Sequence, residues 1–183
     1  MFTKKVTRRT FLNIAAAGIL TLGWDGLSFA KVLPAEEGSL SLYNTHTQER
    51  LSVVFRRPDG TYDTDALNAL NWNMRCHVTN QQTVMDVNAI EYLNLVDKKL
   101  GGGNEIHIIS GYRTPSYNSF LQSKHGHVAR HSLHMVGKAI DIAIPGIALD
   151  KVRHTAVALQ LGGVGYYPGE GFVHIDSGTF RTW

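Results

Sequence analysis

The apolar and polar positions divide the chain into short elements separated by turn signals. Residues 40–44 and 51–56 flank a polar stretch and predict a hairpin. Arg57-Pro58-Asp59-Gly60 then supplies a turn. Ala66, Leu67, Leu70 and Met74 recur at helical spacing. Val87, Ile90, Leu93 and Val96 do the same up to Leu100, where Gly101-Gly102-Gly103 is a stop. Residues 106–109 form a short apolar strand, whereas residues 120–130 are polar, histidine-rich and without period, and read as a surface loop. Residues 138–144 and 172–176 read as strands. The segment 147–161, from Asp150 near its start to Gly162-Gly163, reads as the helix between them. The order ββ-αα-β-β-α-β, without internal repeat, predicts a single α+β domain with a small antiparallel sheet flanked by helices.

The chain has 183 residues, enough for one domain with a real core and too few for two. Its net charge of +3 comes from the N-terminal segment. Lys4, Lys5, Arg8 and Arg9 precede residue 10, Asp25 is the one acid before residue 31, and basic and acidic residues balance in the rest. The excess therefore belongs to an address, and nothing in the remainder points to nucleic acid. A basic start, an apolar stretch from residue 11 to 22 and the small residues Ser28 and Ala30 read as a signal peptide over residues 1–30. The apolar stretch is short of the about 20 residues a spanning helix needs, so no stable membrane insertion is expected after cleavage. Thr7-Arg8-Arg9-Thr10-Phe11-Leu12 resembles a twin-arginine signal, which predicts a periplasmic or otherwise exported protein. Residues 31–183 are then the mature domain. Cys76 is the single cysteine, which excludes an intramolecular disulfide, and it reads as structural.

Alternation carries the candidate chemistry. In residues 138–144, Ala139, Asp141 and Ala143 share one face and Ile140, Ile142 and Ile144 the other. In residues 172–176, Val173 and Ile175 oppose His174 and Asp176. If both strands turn their aliphatic faces to one core, Asp141, His174 and Asp176 emerge on a common surface. His134 precedes the first strand by one turn at Gly137 and can fold back toward it. Two imidazoles and a carboxylate suffice for a catalytic zinc ion with one position left for water. Such an ion polarises a scissile carbonyl and acidifies its bound water. The spacing alone leaves open that the histidines are merely hydrogen-bonded side chains.

Ser132-x-His134-x-x-Gly137-x-Ala139-x-Asp141, preceded by Ser110-Gly111-Tyr112-Arg113 and followed by His174-x-Asp176, resembles the zinc D-Ala-D-Ala peptidases of the lysostaphin, D-Ala-D-Ala metallopeptidase and Hedgehog superfamily. The likeness extends to residues 42–47, 162–168 and Trp183. It implies a Hedgehog-like peptidase fold and His134, Asp141 and His174 as zinc ligands. It also implies Arg113 as the cation that steadies charge on a substrate oxygen, although a structural ion pair is the plainer role for that residue. Many members carry an acidic or histidine base three residues before the last ligand, and here that position is Gly171. Asp176 is the preferred substitute, either as proton acceptor or as an orienting partner of a ligand, and Glu170 is the weaker candidate. Ser132 caps its loop or touches substrate. His125, His127 and His131 read as a solvated loop, His46 and His107 as framework, and Tyr166-Tyr167-Pro168 as cleft wall or helix packing. The implied activity is hydrolysis of peptide cross-links in peptidoglycan, most closely those between two diaminopimelate residues. The alternatives are a D-Ala-D-Ala carboxypeptidase and a non-catalytic zinc-containing peptidoglycan-binding module.

Overall fold

The computed structural model describes residues 36–125 and 128–183, all within the unit formed by residues 33–183. The export signal expected over residues 1–30, and His127, lie outside the described residues. The predicted hairpin is β1 (Gly38–Asn44) against β2 (Arg50–Arg56), paired antiparallel with Leu40 and Leu42 buried. Its connection is set by the Asn44 side chain, whose Oδ1 accepts from the backbone N–H groups of His46 and Thr47, each at 3.0 Å. Helix α1 (Thr64–Asn73) starts at Asp63, whose carboxylate accepts from the N–H groups of Asp65 and Ala66. Helix α2 (Val87–Lys99) starts at Asp86 in the same way and ends at Leu100, after which Gly102 N–H donates to Asp97 O. Strand β3 (Glu105–Ser110) follows.

The segment predicted as a loop over residues 120–130 is in part helical: α3 spans Pro115–Lys124. Thr114 caps it and Pro115 occupies its first turn, while only Asn118 among its residues is buried. A helix that buries so little shows no apolar period, which is why the pattern missed it. A 3-10 turn (Leu133–Val136) leads into β4 (Ala139–Ala143), then α4 (Leu149–Leu159), β5 (Gly163–Tyr167), β6 (Phe172–Asp176) and β7 (Arg181–Thr182).

The strands form one seven-stranded sheet in the order β2-β1-β3-β4-β6-β5-β7. The α+β single-domain reading stands, but the sheet is larger than expected and mixed: β1 pairs with β3, and β5 with β7, in parallel. Two strands escaped the pattern for different reasons. Strand β5, Gly163-Val164-Gly165-Tyr166-Tyr167, has glycine where one face would carry side chains, and β7 is too short to show a period. Helices α2 and α4 pack over the sheet, and Tyr92 Oη donates to Ala156 O at 2.8 Å between them. Beneath them lie Ile140, Ile142, Val173 and Ile175, all fully buried. The aliphatic faces of β4 and β6 therefore share one core, and Asp141, His174 and Asp176 are left on the opposite face.

Candidate metal centre

Antiparallel pairing of β4 with β6 sets Asp141 directly across from His174. Cross-strand partners point to the same side, so imidazole and carboxylate meet: His174 Nδ1 lies 2.8 Å from Asp141 Oδ1. His134 arrives on the 3-10 turn. Gly137 ends that turn at φ +68°, a conformation side chains rarely adopt, and a Cβ there would come to 2.5 Å from Val84 O. The turn places His134 Nε2 at 3.2 Å from both Asp141 Oδ1 and His174 Nδ1. All three side chains are buried, and one donor atom from each lies within 4.8 Å of the others.

The outer partners of the two rings decide their tautomers. His134 Nδ1 is 2.6 Å from Gly111 O, and a carbonyl only accepts, so Nδ1 carries the hydrogen. His174 Nε2 is 3.1 Å from Asp176 Oδ2, which assigns a hydrogen to Nε2 in the same manner. When both rings are neutral, the inward nitrogens are therefore their lone-pair sides, and both face Asp141 Oδ1. Three electron-rich atoms aimed at one point repel one another unless a proton or a metal cation lies between them. This donor set fits a divalent ion of the zinc class.

The electrostatics agree. Burial opposes ionisation of Asp141, yet the adjacent His134 and His174 hold its carboxyl far below the usual carboxylate range. Burial lowers the pKa of His134, and Asp141 only partly offsets this. Burial would lower that of His174 too, but hydrogen bonds to Asp141 and Asp176 outweigh it and raise it above the ordinary 6.5. A proton on His174 Nδ1 therefore competes with a cation for the same lone pair. Cation affinity is expected to weaken as pH falls through neutrality, with proton release on binding measurable by calorimetry in buffers of different ionisation enthalpy. Affinity independent of pH between 5 and 8 would count against this ligand set.

The chain matches the family model described as peptidoglycan L,D-endopeptidase MepK over residues 33–183. The chain belongs to this family. One relative, the probable peptidoglycan L,D-endopeptidase MepK of Haemophilus influenzae, is 41% identical over 145 residues, 79% of this chain and 77% of that protein. Another, the peptidoglycan L,D-endopeptidase MepK of Escherichia coli K12, is 36% identical over 156 residues, 85% of each chain.

In this MepK-family domain the three donors lie at the base of a cleft of about 870 Å³, whose walls include Arg113, His131, Tyr167, Glu170 and Trp183. Arg113 reaches the centre through Asp141: its Nη2 pairs with Oδ2, the carboxylate oxygen not shared with the imidazoles, and its Nε donates to Ser110 Oγ at 2.8 Å. The ion pair foreseen for Arg113 thus involves one of the three clustered groups, while the guanidinium still borders the cleft.

Asp176 sits on the far side of His174 and is fully buried. Its Oδ1 accepts from the N–H groups of Gly163 (3.1 Å) and Gly178 (2.8 Å) and from Arg181 Nη1 (3.1 Å). Its Oδ2 accepts from His174 Nε2 (3.1 Å) and Arg181 Nη2 (2.7 Å). Burial would raise its pKa, but His174, Arg181 and the Gly178 N–H together hold it well below the carboxylate range. Arg181 was missed in sequence because it stands on the two-residue β7 and signals its role only through contact. Glu170, by contrast, is exposed on the β5–β6 turn and lines the cleft. Ser132 is buried next to the 3-10 turn without capping it through its side chain, and its carbonyl accepts from Met135 N–H. His125 and His131 border the cleft but do not join the donor cluster. His46 Nε2 lies 3.1 Å from Ile109 O and Cys76 is buried, as framework roles require.

Proposed function

We propose that residues 31–183 form an exported zinc peptidase domain that hydrolyses peptide cross-links in peptidoglycan, with those between diaminopimelate residues as the favoured substrate. The observation that carries this reading is the convergence of two lone-pair nitrogens and one carboxylate oxygen at the base of an open cleft. The family relation and the activity for which the relatives are named support the substrate class. Export follows from where that substrate lies. The twin-arginine segment at residues 7–12 is the proposed route, and among the described residues no helix is long and apolar enough to cross a membrane.

His134, Asp141 and His174 hold the ion, which supplies Lewis acidity toward the scissile carbonyl and toward water. Arg113 pairs with Asp141 Oδ2 and presents positive charge to substrate oxygen at the cleft wall. Asp176 acts as the orienting partner: five hydrogen bonds and a depressed pKa make it a poor proton acceptor, whereas its bond to Nε2 fixes which nitrogen of His174 faces inward. Glu170, exposed on the cleft wall, is the carboxylate able to approach substrate and take up a proton.

The test is incubation of the zinc-loaded protein with purified muropeptide dimers, read by mass spectrometry. Conversion to monomers, abolished by chelator and restored by zinc, is expected. Release of free alanine alone would make the protein a carboxypeptidase, and binding without product would make it a non-catalytic module. Glu170→Gln is expected to lower kcat by about 100-fold or more with zinc content unchanged. Asp176→Asn is expected to weaken zinc affinity by about 10- to 100-fold. The reverse pattern, with Asp176→Asn inactive yet fully zinc-loaded, would return the proton-acceptor role to Asp176.

A further inference from the structure

The roles above leave one wall of the cleft unassigned, the wall formed by Tyr167, Phe172 and Trp183. On β5, Gly165 stands across from His174 and Tyr167 across from Phe172, so Gly165 and Tyr167 share the face that carries the metal centre. Gly165 leaves that face bare, and the indole of Trp183 takes the space. A Cβ at position 165 would come to 2.8 Å from the indole atoms Nε1 and Cε2. Trp183 is tied to β5 by its backbone, donating to Val164 O at 3.2 Å and accepting from Tyr166 N–H at 3.0 Å. The Arg181 guanidinium lies 4.8 Å from the centre of its ring. The indole in turn lies 5.3 Å from the His174 ring, centre to centre.

The indole N–H of this fixed ring donates to the Tyr167 hydroxyl at 2.7 Å. An indole nitrogen can only donate, so the phenol oxygen is the acceptor and its own hydrogen points elsewhere. The Tyr167 ring is held as well, stacked on Phe172 at 4.7 Å with 22° between planes. The result is a phenol with its ring clamped, its oxygen anchored and one hydrogen bond left to give. A contact that served packing alone would be expected away from the cleft. Here both residues line it, and Trp183 is still 48% exposed.

We propose that Tyr167 donates a hydrogen bond to a carbonyl oxygen of the peptide bound in the cleft, and that Trp183 is the positioning residue that aims it. The inference rests on the peptidase reading and adds a substrate contact to it. No proton is transferred: the phenol remains neutral and lends its O–H to a substrate oxygen.

The test uses the full chain as parent, Tyr167→Phe, Trp183→Phe and the double variant, with muropeptide dimers as substrate and their monomeric products as binding probe. Tyr167→Phe is expected to lower kcat/KM about tenfold or more. Trp183→Phe is expected to lower it by a smaller factor, and the double variant to be no worse than Tyr167→Phe, because an indole that acts through a hydroxyl has nothing to aim once the hydroxyl is gone. All variants should bind zinc with parental affinity in calorimetry. The zinc-free parent should bind the monomer more tightly than zinc-free Tyr167→Phe. Parental kcat/KM in Tyr167→Phe, losses that multiply in the double variant, or weakened zinc binding in Tyr167→Phe would overturn the proposal. A parent that binds monomer but cleaves no dimer would overturn the peptidase reading alone, leaving the binding comparison to decide the Tyr167 contact. A parent that does neither overturns both.

Discussion

Replacing His174 by alanine is expected to abolish stoichiometric zinc binding and to lower kcat/KM on muropeptide dimers by at least about a thousandfold. The size follows from the several kcal/mol of charge stabilisation that a catalytic ion supplies, at about 1.4 kcal/mol per factor of ten. Two donors, His134 Nε2 and Asp141 Oδ1, would remain, fewer than the three protein ligands that would hold a catalytic zinc ion. The fold should survive, because Asp176 keeps Arg181 and the Gly163 and Gly178 N–H groups once the imidazole is gone. His131→Ala is the matched control, since His131 borders the same cleft without joining the donors, and it should leave zinc stoichiometry unchanged. Measuring zinc by mass spectrometry of the dialysed protein checks both. A His174→Ala protein that still carries one tightly held zinc would remove the basis of the proposed centre.

The second large effect concerns stability and lies away from the cleft. Arg56 and Glu91 form an ion pair at 2.7 Å with side chains 0% and 1% exposed, and Tyr62 Oη donates to the same Glu91 oxygen at 3.0 Å. Burial, and then the charge of Glu91, push the Tyr62 phenol up to about 12, so it stays a donor throughout the physiological range. Glu91→Ala would leave the Arg56 cation buried without its carboxylate. The expected cost is about 3–5 kcal/mol, on the order of 10 °C in Tm for a domain of this size. Replacing both members with apolar residues, Arg56→Met with Glu91→Leu, is expected to recover most of the loss, because no buried charge then remains. Thermal melts of the three proteins decide the matter. A Glu91→Ala protein melting within 2 °C of the parent would show that water or another group already compensates the guanidinium.

These two sites differ in how much of them the sequence displays. Two of the three candidate ligands, Asp141 and His174, stand on strands whose alternation can be read directly. Isoleucines at 140 and 142, and valine and isoleucine at 173 and 175, must face the core, so Asp141 and His174 are forced outward. Arg56 and Glu91 are 35 residues apart on different elements and carry no local signature of their contact. Helix α3 and strand β5 were hidden for a related reason. One buries almost nothing, and the other has glycine where a side chain would mark its face, so neither imposes an apolar period.

By itself, then, the sequence determined which side chains share a face, where most elements stop and which donor types are available for chemistry. Those properties depend on the two- or 3.6-residue repeat of a single element. The tertiary structure alone decided that β4 pairs with β6 in the register that sets Asp141 against His174. It decided that Gly111 O and Asp176 select the nitrogens turned inward, and that Asp176 spends its oxygens on Arg181 and two backbone N–H groups. It also decided that Trp183 fills the space above Gly165. Each of these is a contact between groups that the chain brings together only when the sheet closes. Its energy comes from burial and hydrogen-bond geometry in three dimensions, which no repeat along the chain records.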